Sequence, residues 1–184
     1  MDMRARSETW ILIENLDERH PGLTATRARA LYEAASVCLD RHHASPALLR
    51  IDDEGTIGGR QIAWVEPNGR AKVANGNEID ATCDGAYAVS LATIEVERGL
   101  VAIGRAWTGS GADFFLTPKE MCSTADFETA LRLEVSGVDK GGASTLRHRL
   151  KQKRMQLTRG KSDSAAIASV VGFRELLVLL GTVT

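Results

Sequence analysis

Two acidic side chains in neighbouring strand-like segments are the residues with the clearest potential for chemistry. Asp113 stands at the head of the apolar run "ADFFLT", and Glu134 lies inside a second apolar run, "ALRLEVSGV". Alternate residues of a strand share a face, so Glu134 and Ser136 belong to the polar face of their segment. If the two strands are neighbours, the carboxylates of Asp113 and Glu134 meet at one edge of the sheet. Two such carboxylates and a backbone carbonyl suit Mg²⁺, which can activate water and neutralise charge that develops on a phosphate.

A strongly basic segment with helical periodicity follows these strands. The run "RHRLKQKRMQLTRGK" holds no acidic residue. The cations predicted to contact nucleic acid, with DNA as the expected partner, are Arg147, Arg149, Lys151, Lys153 and Arg154. A positive stripe of this kind binds the phosphate backbone whatever the base sequence. Two other interpretations stay open: an exposed face whose charges pair with acids elsewhere, or contact with an acidic protein surface.

The elements that must position these residues follow from periodicity and capping. From residue 77 the predicted order is a helix, three strands, a second helix and a strand. The first of these helices begins at Asn77 or Asp80 and ends at Gly99. The three strands are "LVAIGRAW", "ADFFLT" and "ALRLEVSGV", and the basic helix leads to the strand "AAIASVVGF". The segment "ELLVLLGTV" predicts one further strand.

The first 76 residues are predicted to form an extension that packs on this unit. The segment "LTATRARALYEAASVCLDRH" predicts a helix capped by Thr24 or Thr26. The segments "PALLRIDDEG" and "RQIAWVEPNGR" predict a hairpin, with a turn at "GTIGG" and a second turn at Asn68. We therefore predict a mixed α/β fold, with an N-terminal helix and hairpin in residues 1–76 and a core in residues 77–184.

This arrangement resembles the PD-(D/E)XK nuclease superfamily, which has the restriction-endonuclease-like fold. The resemblance covers roughly residues 77 to 174 and depends on the order of elements together with "GAD…LEVSG". It implies that Asp113 and Glu134 bind the metal ion and position the attacking water. A glutamate of the first core helix often completes the family site, and Glu78 and Glu95 are the candidates here.

The chain departs from the family pattern at one position of the motif. The family lysine falls at Ser136, which cannot supply a positive charge to the water or to the transition state. The resemblance therefore implies a cation from elsewhere, and the candidates are Lys140 near the strand end and Lys151 or Lys153 on the basic helix.

Two functions follow from the resemblance. The first is a Mg²⁺-dependent nuclease that acts on DNA, in the setting of bacterial defence or mobile elements. The second is a catalytically inactive pseudo-nuclease that serves as a nucleic-acid-binding or protein-assembly subunit, with a protein partner or as a homodimer. Ser136 favours the second function. A third possibility, of another class, is a protein–protein interaction module whose α/β fold is unrelated to nucleases.

The overall composition limits the remaining classes. The 184 residues include 23 basic and 24 acidic side chains, and this near-balance argues against a general polyanion binder. The three cysteines are far apart and lack metal-ligand spacing, so they predict reduced thiols. The start "MDMRARSETW" has no apolar core of a signal peptide, and no run reaches the ~20 apolar residues that cross a bilayer. We expect a cytoplasmic protein without membrane association.

Overall fold

Helices begin and end in this chain where capping residues stand. Thr24 accepts a hydrogen bond from the backbone of Arg27, and Asn77 accepts from the backbone of Ile79, as N-cap side chains do. Gly99, with φ of 64°, ends the longest helix. The computed structural model describes residues 10–124, 127–159 and 164–183. Its four α-helices in these ranges are α1 (Ala25–Asp40), α2 (Gly69–Ala74), α3 (Glu78–Arg98) and α4 (Ala143–Arg159).

Eight strands of the described residues form one mixed sheet. They are β1 (Trp10–Ile11), β2 (Ala47–Asp53), β3 (Thr56–Ile62), β4 (Leu100–Arg105), β5 (Phe114–Pro118), β6 (Leu131–Val138), β7 (Ala166–Gly172) and β8 (Leu177–Val183). Their order across the sheet is β1-β3-β2-β8-β7-β6-β5-β4. The mixed α/β class predicted from the sequence is therefore confirmed.

The segment from α3 to β7 contains the part of the fold that positions the two acids. β4, β5 and β6 pair antiparallel in succession, and α4 carries the chain from β6 to its parallel neighbour β7. The predicted order of helix, three strands, helix and strand is found here. Kinship of this unit with the restriction-endonuclease-like fold stays a proposal.

The sheet is covered by helices on both faces. On one face, α1 and α3 pack together over alternate strand residues that include Leu133, Val135 and Ile167. On the other face, Leu146 of α4 packs against Val170 and residues of β8. β6 therefore runs between α3 and α4, and side chains from opposite faces approach its end.

The N-terminal hairpin differs from the prediction at two places, its turn and the segment after its second strand. The turn is at Glu54 and Gly55, with φ of 53° and 93°, and Asp52 accepts from Gly55 N. The segment "GTIGG", predicted as the turn, mostly lies in β3, because these positive φ angles close the hairpin before it. Asn68 is also not a simple turn residue, because its side chain accepts from Ala71 N and caps α2.

The predicted division at residue 76 falls between α2 and α3. β2 pairs in parallel with β8, so strands from both sides of this position belong to one sheet. α1 also packs extensively on α3. The predicted extension thus contributes three strands to the sheet that carries the acids.

One outer strand of the sheet, β4, is covered by the segment before α1. Ala102 N donates to His20 Nδ1 at 3.0 Å, and Gly22 N donates to Ala102 O at 2.9 Å. His20 is fully buried, and a side chain at Gly22 would collide with the backbone of Gly104. None of the helices in the described ranges is long and apolar enough to cross a membrane.

Candidate functional site

Asp113 lies where β5 begins, at the point where its ladder with β6 ends. The register pairs Phe114 with Leu133, and continuing it places Asp113 beside Glu134. Asp113 N donates to Leu133 O at 2.7 Å, and the carboxylate Oδ2 accepts from Val135 N at 2.9 Å. The carboxylate of Asp113 therefore accepts the hydrogen bond from β6 that the backbone of a further strand residue would otherwise accept.

Glu134 points to the α4 side of the sheet, and its side chain is only 6% exposed. Its Oε1 accepts from Lys153 Nζ at 2.5 Å and from Gln156 Nε2 at 2.9 Å. Its Oε2 accepts no hydrogen bond from the residues that the structure describes. One carboxylate oxygen of Glu134 is thus held by α4, and the other stays available to a ligand.

Asp113 and Glu134 line the same cleft, which has a volume of about 570 Å³. Its walls are the first half of α3, β6 from Glu134 to Val138, and Arg149 and Lys153 of α4. Gly137 lies under α3, where a side chain would collide with the backbone of Thr82. The absence of a side chain at Gly137 therefore lets α3 approach β6 closely where both line the cleft.

The surroundings of Glu134 do not favour its charged form. Burial raises the pKa of Glu134, and the neighbouring Asp113 carboxylate raises it further. The hydrogen bonds and charge of Lys153 and Gln156 act in the opposite direction but do not cancel these effects. The ionised form of Glu134 is therefore less stable here than in water, and an added cation would favour it.

Tyr87 of α3 is a site residue that the sequence did not reveal. Its hydroxyl donates to Asp113 Oδ1 at 2.7 Å, and burial followed by this hydrogen bond raises its pKa. Tyr87 therefore stays protonated and fixes the carboxylate of Asp113. The sequence signal that could have revealed Tyr87 is a tyrosine among small, apolar residues on one face of a helix. A tyrosine buried on such a face needs a polar partner for its hydroxyl.

Arg105 and Gln156 are two further unpredicted residues at the site. The guanidinium of Arg105 lies 3.9 Å from Asp113 Oδ1 and stacks over the rings of Tyr87 and Phe114, at 4.8 and 4.6 Å from their centroids. Gln156 stands three positions after Lys153, a spacing that places both on one side of a helix. That spacing was the only sequence signal for Gln156.

The two candidate glutamates of α3 lie at opposite ends of the helix, about 25 Å apart along its axis. Glu78 lines the mouth of the cleft and pairs with Lys140 at 3.0 Å. Glu95 lies in a different cleft, where Arg19 Nε is 2.8 Å away and Lys119 Nζ is 3.4 Å away. The structure thus brings Glu78 near the acid pair and does not bring Glu95 there.

The three candidate lysines are also separated by the structure. Lys153 contacts Glu134, whereas Lys140 is engaged with Glu78. Lys151 lines a groove on the other side of α4. Ser136 lies on the cleft wall. Of the three candidates, Lys153 is the lysine that contacts one of the two acids.

The donor atoms of the cleft fit a hard divalent cation. No group of three or more His, Cys, Asp or Glu side chains at metal-binding spacing occurs among the described residues. Mg²⁺ does not require one, since it keeps several waters and often uses only one or two carboxylates. Asp113 and Glu134 supply such a pair, and the unpartnered Oε2 of Glu134 is a suitable donor.

Comparisons with known proteins do not assign a function to this chain. No family model, no curated protein and no solved structure matches this chain. The resemblance to the PD-(D/E)XK nucleases therefore stays a prediction from the order of elements and from Asp113 and Glu134. The chemistry of the cleft is the basis on which a function can be assigned.

Proposed function

We propose that this chain is a metal-dependent nuclease that cleaves phosphodiester bonds in DNA. The observation that carries the proposal is the shared cleft of Asp113 and Glu134, with Lys153 bonded to Glu134. An acid pair that can hold a metal ion, with a cation beside it, is suited to metal-assisted phosphate hydrolysis.

The order of elements around the cleft supports the proposal. Asp113 stands at the start of the second strand after α3, and Glu134 lies in the third. The resemblance to PD-(D/E)XK nucleases implies acids at these two places. Lys153 comes from the following helix rather than from the strand, which accounts for Ser136 at the motif position.

Each side chain has a role that its contacts support. Asp113 and Glu134 would hold Mg²⁺, which when bound activates a water and neutralises charge on the phosphate. Tyr87 fixes the orientation of Asp113, and Gln156 does so for Glu134. Lys153 holds its ammonium group beside the carboxylate pair, where it can donate to the attacking water or to a phosphate oxygen.

A second candidate function is a pseudo-nuclease that binds nucleic acid without cutting it. Ser136 at the motif position favours this function. The contact of Lys153 with Glu134 also favours it, because the lysine already compensates one of the two carboxylates. In this case the cleft binds no metal ion and the basic helix provides the contact with nucleic acid.

A cleavage assay tests the first proposal. The wild-type chain is incubated with supercoiled plasmid, linear duplex, single-stranded DNA and RNA in Mg²⁺ or Mn²⁺. We expect cleavage of DNA that Asp113→Asn abolishes and that the distant Glu95→Gln variant retains. Cleavage of no substrate, or equal cleavage by Asp113→Asn, would contradict the nuclease.

A calorimetric titration with Mn²⁺ separates the two functions. The nuclease requires binding that Glu134→Gln weakens at least tenfold. Absence of Mn²⁺ binding together with salt-sensitive association with DNA would instead establish the pseudo-nuclease.

A further inference from the structure

Helix α4 carries two separate rows of cations. Arg149 and Lys153 form the cleft row, because both line the cleft that holds Asp113 and Glu134. Arg147, Lys151 and Arg154 form the outer row, because all three line a groove of about 490 Å³ on the β8 side of the helix. The basic stripe read from the sequence is thus divided between the two sides of one helix.

The geometry of the helix fixes how far apart these rows are. At about 100° per residue, the two rows point in directions roughly 150° apart around the axis. The buried Leu146 and Leu157 point between them, toward the sheet. The two rows therefore run along the opposite flanks of α4, and the remaining crest of the helix faces solvent. Three exposed residues of this crest are His148, Gln152 and Met155.

Most of these cations have no compensating charge. No acidic residue occurs in α4. Lys153 pairs with Glu134, but Arg147, Arg149, Lys151 and Arg154 form no ion pair within the described parts of the chain. Unpaired cations on a rigid helix are suited to replace the counterions of a nucleic acid.

Arg154 of the outer row is also held in position by packing. Its Cδ lies close over Gly181 of β8, where an added methyl group would approach it to 3.2 Å. The glycine thus leaves the space in which the arginine stem lies along the strand. Packing of this stem against the strand reduces the conformational freedom that Arg154 would lose on binding a phosphate.

We propose that α4 lies in the major groove of B-form duplex DNA, with one row of cations on each phosphate strand. The helix with its side chains is about 10–12 Å across, and the major groove is about 12 Å wide. The cleft row contacts the strand whose phosphate enters the cleft, and the outer row contacts the opposite strand. This inference deepens the proposed function, since it names the substrate class of the same site.

The crest of α4 would then face the base edges. Gln152 and His148 are hydrogen-bonded to each other at 3.0 Å, and both are exposed. Glutamine can pair with adenine through two hydrogen bonds in the major groove, and an apolar side chain such as Met155 can contact a thymine methyl. The A-form major groove of duplex RNA is too deep and narrow for such contacts.

The experiment measures binding without cleavage, using the full chain in EDTA. The probes are a fluorescent 20-base-pair DNA duplex, one of its strands alone, and an RNA duplex of the same sequence, each titrated at several salt concentrations. The variants are Arg149→Gln for the cleft row and Arg147→Gln/Lys151→Gln for the outer row. The control is Arg29→Gln/Lys72→Gln, which makes the same charge change as the outer-row variant but away from α4.

We expect tighter binding of the DNA duplex than of either other probe. Each removed phosphate contact lowers the slope of log K against log salt by about 1, so the outer-row variant loses about 2 and Arg149→Gln about 1. In 0.15 M salt the outer-row variant loses about 10- to 30-fold in affinity, and the control stays within about twofold. Gln152→Ala keeps the salt slope but changes the base preference in a randomised duplex.

The outcomes distinguish this inference from the nuclease proposal. Equal or tighter binding of the single strand or of the RNA duplex overturns it, as does an outer-row variant that behaves like the control. Duplex binding that needs both rows, in a protein that cuts nothing, supports the inference and contradicts the nuclease. DNA cleavage with binding that needs only Arg149 supports the nuclease and overturns the inference.

Discussion

Glu95 and Glu134 are two mostly buried glutamates whose surroundings act in opposite directions. Their side chains are 11% and 6% exposed. Burial raises the pKa of Glu95, but hydrogen bonds from His20 and Arg19 outweigh it and lower the pKa to about 2. At Glu134, burial and the Asp113 carboxylate outweigh Lys153, and the pKa is raised.

The opposite pKa shifts distinguish Glu95, a structural carboxylate, from Glu134, a candidate metal ligand. Glu95 has cations at both oxygens, with Arg19 at Oε2 and Lys119 at Oε1. Glu134 has a second acid beside it and one oxygen that accepts no hydrogen bond from the described residues. Burial alone therefore does not indicate function. A buried carboxylate whose pKa is raised, and which lies in a cleft, is a candidate functional residue.

The largest expected effect is on cleavage. We expect Glu134→Gln and Asp113→Asn to lower Mg²⁺-dependent DNA cleavage by about 10³-fold or more, and Glu95→Gln to change it less than about threefold. Initial rates in Mg²⁺ on folded protein measure this. Asn is the cleaner change at Asp113, because alanine would leave Val135 N and the Tyr87 hydroxyl without their acceptor, at a cost of about 1–3 kcal/mol each. Equal losses in Glu95→Gln would remove the distinction between the two glutamates.

The next effect concerns which lysine serves the cleft. We expect Lys153→Met to lower kcat by about 10²-fold, because it removes the cation beside the acid pair. Lys140→Met should stay within about threefold, since this lysine pairs with Glu78 at the mouth of the cleft. The comparison uses kcat at saturating DNA, so that weaker binding does not contribute. The reverse order would assign the role to Lys140.

A smaller effect is expected on stability. Glu95→Gln should lower the free energy of unfolding at pH 7 by about 1–3 kcal/mol, because the charged form is the one that its partners stabilise. Glu134→Gln should leave it unchanged or raise it, because the wild-type charge is unfavourable there. Urea unfolding of the two variants beside wild type measures both changes. A loss in Glu134→Gln as large as that in Glu95→Gln would show that Lys153 makes Glu134 a structural ion pair as well.

The smallest effect is the pH dependence of the difference in stability between Glu134→Gln and wild type. The folded pKa of Glu134 is above its ordinary value of 4.5, so its contribution to stability is complete below 4.5 and is lost as the pH rises through the raised value. The stability of Glu134→Gln relative to wild type should therefore grow above pH 4.5 and then level off. Glu95 has the opposite sign: its contribution is present above 4.5 and is lost as the pH falls toward 2.

Unfolding titrations from pH 4 to pH 8 measure this difference between Glu134→Gln and wild type. Adding Mg²⁺ at pH 8 should raise the stability of wild type and not that of Glu134→Gln. A difference that does not change with pH would mean that Lys153 fully compensates Glu134.

The sequence was informative where chemistry follows from local periodicity. The alternation around Glu134 predicted the polar face on which it lies, and the meeting of Asp113 and Glu134 was predicted on the condition that their strands are neighbours, as β5 and β6 are. The caps predicted at Asn77 or Asp80 and at Gly99 lie close to the bounds of α3, whose N-cap is Asn77, because capping acts within one turn. These features depend on neighbours along the chain and can be read from one sequence.

Other site features depend on how elements dock, and no local pattern contains that information. The choice of Lys153 over Lys151 depends on the rotation of α4 about its axis, which Leu146 and Leu157 set by packing on the sheet. The choice of Glu78 over Glu95 depends on which end of α3 lies beside the end of β6. Tyr87 was missed because its partner, Asp113, lies on another element.

The contact between the segment around His20 and β4 bears on self-association. An open edge strand offers unpaired N–H and C=O groups to a strand of another chain, which is a route to aggregation. Both backbone groups of Ala102, near the centre of β4, already have partners in His20 and Gly22. Removing the His20 side chain would uncover this part of β4 and expose a template on which copies of the chain can add to one another, strand by strand.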